Sequence, residues 1–143
     1  MIILDTNVIS ELMRPQPTPS VLEWANSSPD QLVCTCVTIF ELEFGIRRLP
    51  ERPRKAELVR SWSAVRTEFL DGHILVLDEV AGRLAAEVKA SELAAGFTVD
   101  VCDLFIAAIA KRENAPVATR NVRHFDRLGI DVISPWLLPA SDR

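Results

Sequence analysis

Thiols and imidazoles are scarce in this chain, which has three cysteines (Cys34, Cys36, Cys102) and two histidines (His73, His124). An odd cysteine count in a chain of intracellular character argues against a disulfide framework. Cys34 and Cys36 lie two apart in an apolar run, so in a strand they share a face. A zinc half-site there needs partners, yet neither histidine sits in ligand spacing with another Cys or His, so buried small hydrophobes are the expected fate. No apolar run approaches the roughly 20 residues of a membrane helix. The first apolar run has no basic region before it and is cut by Asp5, which reads as a strand rather than a signal peptide and leaves a cytoplasmic location as the expectation. Positive charge is not in excess: 16 Lys and Arg against 20 Asp and Glu give a net charge of −4. A protein that holds DNA by neutralising many phosphates is normally basic. Glycine is equally sparse, at 5 residues, and no Gly-rich phosphate loop of either nucleotide-binding type is present.

What remains is a globular composition, with 48% hydrophobic and 25% charged residues over 143 positions, enough for one domain (1–143) with a core. Strand-like and helix-like segments alternate from end to end. Residues 2–4 predict a strand that turns at Asp5-Thr6-Asn7 into a helix, "VISELM" (8–13), ended by the proline-rich connector "RPQPTP" (14–19). A second helix begins at Thr18 or Ser20. "QLVCTCV" (31–37) predicts strand two and "TIFELEFGIRRL" (38–49) a helix, followed by a long helix over 53–70. "ILVLD" (74–78) is strand three. A helix over 79–95 is closed by Gly96, another spans 100–114, and short strands fall at "PVATRN" (116–121) and "DVISP" (131–135). This alternation predicts an α/β protein with a mainly parallel sheet of four to five strands covered by helices on both faces. Ligands in such sheets bind at the carboxyl ends of strands, where strand order reverses.

Several acids fall at that edge. Asp5 ends strand one. A helix cap is the ordinary explanation, but Thr6 and Asn7 cap equally well and stand closer to the expected helix start, which leaves the carboxylate unexplained. Glu41 shares a helical stripe with Thr38, Gly45 and Arg48, and the poor helix former Gly45 suggests a close approach there. Glu43 has Arg47 four residues on, an ordinary surface pair. Asp100 suits the N-cap of its helix, while Asp103 shares its face with Ala107 and Ala110, where an acid needs a partner or a cation. Asn121 follows strand four and so joins the edge of Asp5; a turn or cap role is its plain alternative, and a solvated or packing role is that of His124. Carboxylates gathered in one pocket repel one another unless a cation joins them, and all-oxygen ligation suits Mg²⁺ or Mn²⁺. Acid–metal–water chemistry on a phosphodiester is the reaction type these residues favour.

"MIILDTNVISEL", "VTIFELEFGI", "DLFIAAIA" and "VATRNVRHFDRLGIDVISPW" occur in the order and spacing of PIN-domain proteins. They most resemble VapC-type toxins of bacterial toxin–antitoxin pairs, in the FitB-like subgroup, and the resemblance covers essentially the whole chain. It implies a PIN-like three-layer α/β/α sandwich and a Mg²⁺- or Mn²⁺-dependent endoribonuclease. The family's three acids fall on Asp5, Glu41 and Asp103, as metal ligands and catalytic residues. A fourth position, often Asp, is Asn121 here, and the position where some relatives carry a further Asp is His124; neither adds negative charge. Thr6 would position the first-acid loop or a metal-bound water. The resemblance further implies a homodimer, an RNA substrate, and a VapB-type antitoxin whose DNA-binding half carries the contact with operator DNA, in keeping with the acidity of this chain.

Other readings of Asp5 fare worse. A haloacid-dehalogenase-type phosphatase needs a second Asp where Asn7 stands, and a receiver domain needs an acidic pair and a late lysine. A non-catalytic or weakly active PIN fold that binds RNA or a partner is the alternative that Asn121 favours. Arg14, Arg47, Arg48 and Arg120 lie near the expected rim, where each is either a phosphate contact or a solvated charge.

Overall fold

The computed structural model describes residues 1–70 and 72–138; position 71 and the last five positions of the expected 1–143 domain lie outside the described residues. Five strands form one parallel sheet: β1 (Ile2–Leu4), β2 (Leu32–Thr35), β3 (Ile74–Leu75), β4 (Val117–Ala118) and β5 (Val132–Ile133). Their order is β3-β2-β1-β4-β5, so β1 is central and the order reverses between β1 and β4. Ile3 pairs with Val33 on one side and Val117 on the other. The helices are α1 (Thr6–Leu12), α2 (Pro19–Ser27), α3 (Cys36–Arg47), α4 (Pro53–Glu68), α5 (Glu79–Ala94), α6 (Val101–Glu113) and α7 (Val122–Arg127).

Side-chain alternation along β1 splits the core in two. Ile2 and Leu4 face α1, α2 and α4, meeting Val8, Val21, Trp62 and Val65. Ile3 faces the opposite layer, with Ala81 and Ala85 of α5, Leu104 and Ile109 of α6, and Phe125 of α7. The result is the α/β/α sandwich expected of the alternating pattern. The three inner strands, β1, β2 and β4, are fully buried, so they read as continuous apolar runs.

Local chemistry shifts several boundaries. β2 ends earlier than its apolar run because the Thr35 hydroxyl accepts from the Thr38 N–H at 3.1 Å and caps α3. Cys36 is therefore the first residue of α3, and it does not share a strand face with Cys34. α1 starts at Thr6, which makes Asp5 its N-cap; Thr6 and Asn7 lie inside the helix and cannot cap it. Asp100 caps α6, accepting from Cys102 and Asp103 N–H. Gly96, with φ of +85° just past α5, takes the left-handed C-terminal position expected of it. α7, unassigned in the sequence reading, is a helix of 6 residues. It is too short to show a period, and it is held by the fully buried Phe125, a side chain whose burial stabilises by roughly 1.5–3 kcal/mol.

The connector between α1 and α2 is organised by Glu11, whose carboxylate is buried although the residue reads as an ordinary surface acid. It accepts from the Thr18 N–H at 2.8 Å, from the Thr18 hydroxyl, and from Arg14 at 3.1 Å. Glu11→Ala removes the acceptor of the part-buried Thr18 N–H and hydroxyl, and is expected to lower the unfolding free energy by about 1–2 kcal/mol. Arg14→Ala removes only a side chain that is 61% exposed, and is expected to cost less than about 0.5 kcal/mol; urea denaturation of the two variants checks the contrast.

Candidate active site

Asp5 stands at the carboxyl end of β1, at the reversal of strand order, and is 3% exposed. Both of its oxygens accept hydrogen bonds. Oδ1 accepts from the Thr6 N–H at 2.8 Å. Oδ2 accepts from the Thr119 hydroxyl at 2.8 Å and from Asn7 Nδ2 at 3.0 Å. The usual cap bond runs to the second or third helical N–H, whereas Asp5 reaches only the first and turns its other oxygen to the end of β4. Thr119, fully buried, completes a small network: its hydroxyl also accepts from the Asn121 N–H at 3.0 Å. The Arg120 N–H in turn donates to Asn7 Oδ1 at 3.0 Å. Thr119 and Asn7 escaped the sequence reading. Thr119 lies just past β4, in a run expected as a short strand where its hydroxyl reads as a β-branched filler, and Asn7 reads as a helix cap.

Glu41 projects from α3 toward the same edge and accepts from the Thr6 hydroxyl at 2.7 Å. Thr6 thus links the first-acid loop to the second acid. Asp103, in the first turn of α6, meets His124 of α7, with Oδ2 and Nδ1 3.1 Å apart. The Asp103 side chain is 16% exposed and that of His124 61%. The acid on the small-residue face of α6 therefore has a partner, as expected, and the partner is the histidine. Asn121 is exposed and occupies the N-cap position of α7, but its side chain makes no capping bond.

These acids feel one another. Burial pushes the Asp5 carboxyl above its ordinary range, against its hydrogen bonds to Thr119 and Thr6, and the negative field of Asp103 adds to the rise. Burial likewise raises Glu41, opposed by the Thr6 hydrogen bond and reinforced by Asp5, Asp103 and Asp100. Burial and then Glu41, Asp100 and Asp103 raise the Cys102 thiol. The structure thus brings together Asp5, Glu41 and Asp103, with Thr6, Asp100 and His124 in contact or in their field. A pocket in which carboxylates mutually disfavour ionisation is one that a cation stabilises. Its oxygen donors match Mg²⁺ or Mn²⁺. Among the described residues no three His, Cys, Asp or Glu side chains converge on a single point.

Beside Glu41 lies a groove of about 600 Å³ whose walls include Met13, Leu42, Ile46 and Leu58, with Arg14 and Arg54 on its margin. Gly45 opens onto it, and a Cβ there would meet nothing within 4 Å. The close approach suggested by this glycine is therefore not made by any described part of the chain. Glu43 pairs with Arg47 at 3.2 Å as expected and also accepts from the Trp62 indole. No helix among the described residues is long and apolar enough to cross a membrane.

A parallel sandwich with acids gathered at the reversal between β1 and β4 defines a class, and comparison supplies its name. The PIN domain description matches residues 2–131, so the chain belongs to the PIN-domain family. Within it, the chain is 36% identical over 137 residues to the plasmid stability protein StbB of Pseudomonas syringae pv. tomato, covering 95% of this chain and 99% of that one. It is 34% identical over 137 residues to the VapC ribonuclease Y4jK of Sinorhizobium fredii, covering 95% and 98%. Among solved structures, FitAB bound to an IR36 DNA fragment superposes with a TM-score of 0.85 at 32% identity, over 99% of both chains.

The raised Glu41 carboxyl carries a sign. Folding disfavours its charged form, so its contribution to stability is full below the unfolded carboxyl pKa and is lost as pH rises through the raised folded value. Glu41→Gln keeps an acceptor for Thr6 and removes the charge. It is expected to raise the stability of the metal-free protein near neutral pH by about 0.5–2 kcal/mol, with the gain fading toward about pH 4; melting curves across that range test it.

Proposed function

We propose that this protein is a metal-dependent endoribonuclease and the toxin of a type II toxin–antitoxin pair. The observation that carries the reading is the Asp5 carboxylate, buried at the reversal of strand order and raised by that burial, with the field of Asp103 adding to the rise. Burying an ionisable group with another acid beside it is costly. A binding-only surface has no need of it, and it is what a divalent-ion site requires. Asp5, Glu41 and Asp103 would hold the ion, and Thr6 and Thr119 fix the orientation of two of those carboxylates. Bound there, Mg²⁺ or Mn²⁺ would supply an activated water and offset the charge that develops on a phosphodiester. Asp5 contributes a carboxylate whose position is set by three donors before any ligand arrives, so its orientation costs nothing at the moment of reaction. His124 bridges to Asp103 and steadies the third acid from the solvent side. Asn121 adjoins the site without adding charge and offers an amide to a water or phosphate oxygen.

The relatives support an RNA substrate, since one of them is named a VapC ribonuclease. The similar FitAB assembly is described bound to DNA, in keeping with an antitoxin that carries the operator contact while this acidic chain does not. The groove beside Glu41, with apolar walls and basic margins, suits an inhibitory segment of such a VapB-type partner. Phe40 and Phe44 are exposed and stacked, ring centroids 5.9 Å apart, on the outer side of α3; this apolar pair supports self-association as a homodimer.

RNA cleavage by the purified protein is expected with Mn²⁺ or Mg²⁺ and is expected to stop with chelator; activity that survives chelation would sink the metal reading. Asp103→Asn is expected to reduce cleavage at least about 100-fold, since loss of a supporting contact to a metal ligand alone costs 10–100-fold, and to abolish the calorimetric signal of Mn²⁺ binding. Full Mn²⁺ affinity in that variant contradicts the assignment. Asn121→Asp is expected to keep or raise activity; a large loss with the fold intact would show that the amide itself is needed.

A further inference from the structure

The acids at the reversal of strand order can be followed oxygen by oxygen. Each carboxylate oxygen offers two lone pairs, and a hydroxyl offers one proton and two lone pairs. The Thr119 hydroxyl accepts from the Asn121 N–H at 3.0 Å and from Asn7 Nδ2 at 3.2 Å, which uses both of its lone pairs. Its one proton therefore goes to Asp5 Oδ2, at 2.8 Å. Asn7 is not free to turn over, because its Oδ1 accepts from the Arg120 N–H at 3.0 Å. Its amide presents its hydrogens to Thr119 and to Asp5 Oδ2, the latter at 3.0 Å. Asp5 Oδ2 is thus filled by two donors that have no alternative acceptor in the network. Turning this oxygen to a cation would orphan the hydroxyl of the fully buried Thr119, which is costly. Asp5 Oδ1 accepts the Thr6 N–H and keeps one lone pair.

The other acids are divided in the same way. Glu41 gives Oε1 to the Thr6 hydroxyl at 2.7 Å, and Asp103 turns Oδ2 to His124 Nδ1 at 3.1 Å. Among the described residues no hydrogen bond reaches Glu41 Oε2 or Asp103 Oδ1. Asp5, Glu41 and Asp103 therefore keep one oxygen apiece with room for a cation. Such a set suits one small cation that retains water in the rest of its shell. A pair of ions, about 3.5–4 Å apart, needs a carboxylate that spans them with both oxygens, and enough negative charge to hold them together. Thr119, Asn7 and His124 stand against the first. Asn121, neutral and exposed, fails to supply the second. Asp100, a further acid whose field reaches Glu41, spends one oxygen on the cap of α6. Three carboxylates outweigh one divalent cation and are outweighed by two.

We infer that this site holds one divalent ion per chain rather than a pair, through one oxygen each from Asp5, Glu41 and Asp103. The inference rests on the metal-dependent reading proposed above and specifies the centre through which it works. A single-ion centre leaves the departing oxygen of a phosphodiester to water or to a protein group, with no second cation to receive it.

The test is calorimetric titration of the metal-free protein with Mn²⁺, joined to the electron paramagnetic resonance spectrum of the bound ion. One ion per chain and the resolved hyperfine spectrum of an isolated Mn²⁺ are expected. Two ions per chain, or the broadened spectrum of a coupled pair, overturn the inference. The double variant Asn121→Asp with His124→Ala adds a charge and frees Asp103 Oδ2, at two positions exposed enough to leave the fold intact. It is expected to take up a second Mn²⁺ and to show the coupled spectrum. A double variant that still binds a single ion overturns the account that these groups set the limit. The outcomes separate this inference from the ribonuclease reading. Two ions in the unaltered protein with metal-dependent RNA cleavage end the single-ion centre alone. One ion without RNA cleavage under any metal ends the ribonuclease reading alone, and no Mn²⁺ binding ends both.

Discussion

The structure depends on how one buried carboxylate is kept. Asp5 sits at the centre of the sheet with almost no exposure to water, and a charge there is destabilising unless donors surround it. The chain meets that need with the Thr6 N–H, the Asn7 amide and the Thr119 hydroxyl. Each donor has further duties: Thr6 also holds Glu41, Asn7 also accepts from the Arg120 backbone, and Thr119 also accepts from the Asn121 N–H. Satisfying Asp5 therefore fixes the ends of β1 and β4, the start of α1 and the entry to α7 in a single network. The acids opposite, Glu41 and Asp103, add repulsion rather than relief. The site is thus a place where packing is favourable and charge is not, a common trade of stability for function.

Much of this was legible in the sequence. Alternating strand and helix patterns gave the parallel sandwich, and a short apolar run ended by an acid pointed to the strand edge where Asp5 stands, in the field of Asp103 and itself acting on Glu41. Thr6 and Asn7 looked like alternative caps, but the helix begins at Thr6 and Asp5 caps it; its distinction lies in the second oxygen, which serves β4. Boundaries were missed wherever a side chain competes with the backbone, as at Thr35, whose hydroxyl turns a strand into a helix N-terminus. α7 was missed because a helix of its length shows no period, and Thr119 because a hydroxyl in a short β-branched run carries no sequence signal of its partner. Glu11 was invisible for the same reason: its burial is created by the connector that folds over it.

The distribution of charge follows a similar logic. The chain is acidic as a whole, yet its acids and bases are sorted in space. Carboxylates gather at the reversal between β1 and β4, and Arg120 and Arg123 border a concavity with His124. Two other guanidiniums are spent on the fold: Arg112 joins α6 to Asp78 and to the Val76 carbonyl, and Arg127 lies on Phe97 while pairing with Glu92. These two arginines brace α6 and α7, the elements that present Asp103 and His124.

The hydrogen bond between Thr119 and Asp5 joins positions 114 residues apart. No fragment emerging from a ribosome contains both until most of the chain has been made, and the central strand cannot gain β4 as a neighbour earlier. Parallel pairing over such separations is intrinsically slow to form. The carboxylate that organises the site therefore stays solvated and unaimed throughout synthesis, and the assembled centre comes into being late. For the ribonuclease toxin proposed above, that delay would give an inhibitor made alongside it a head start written into the topology.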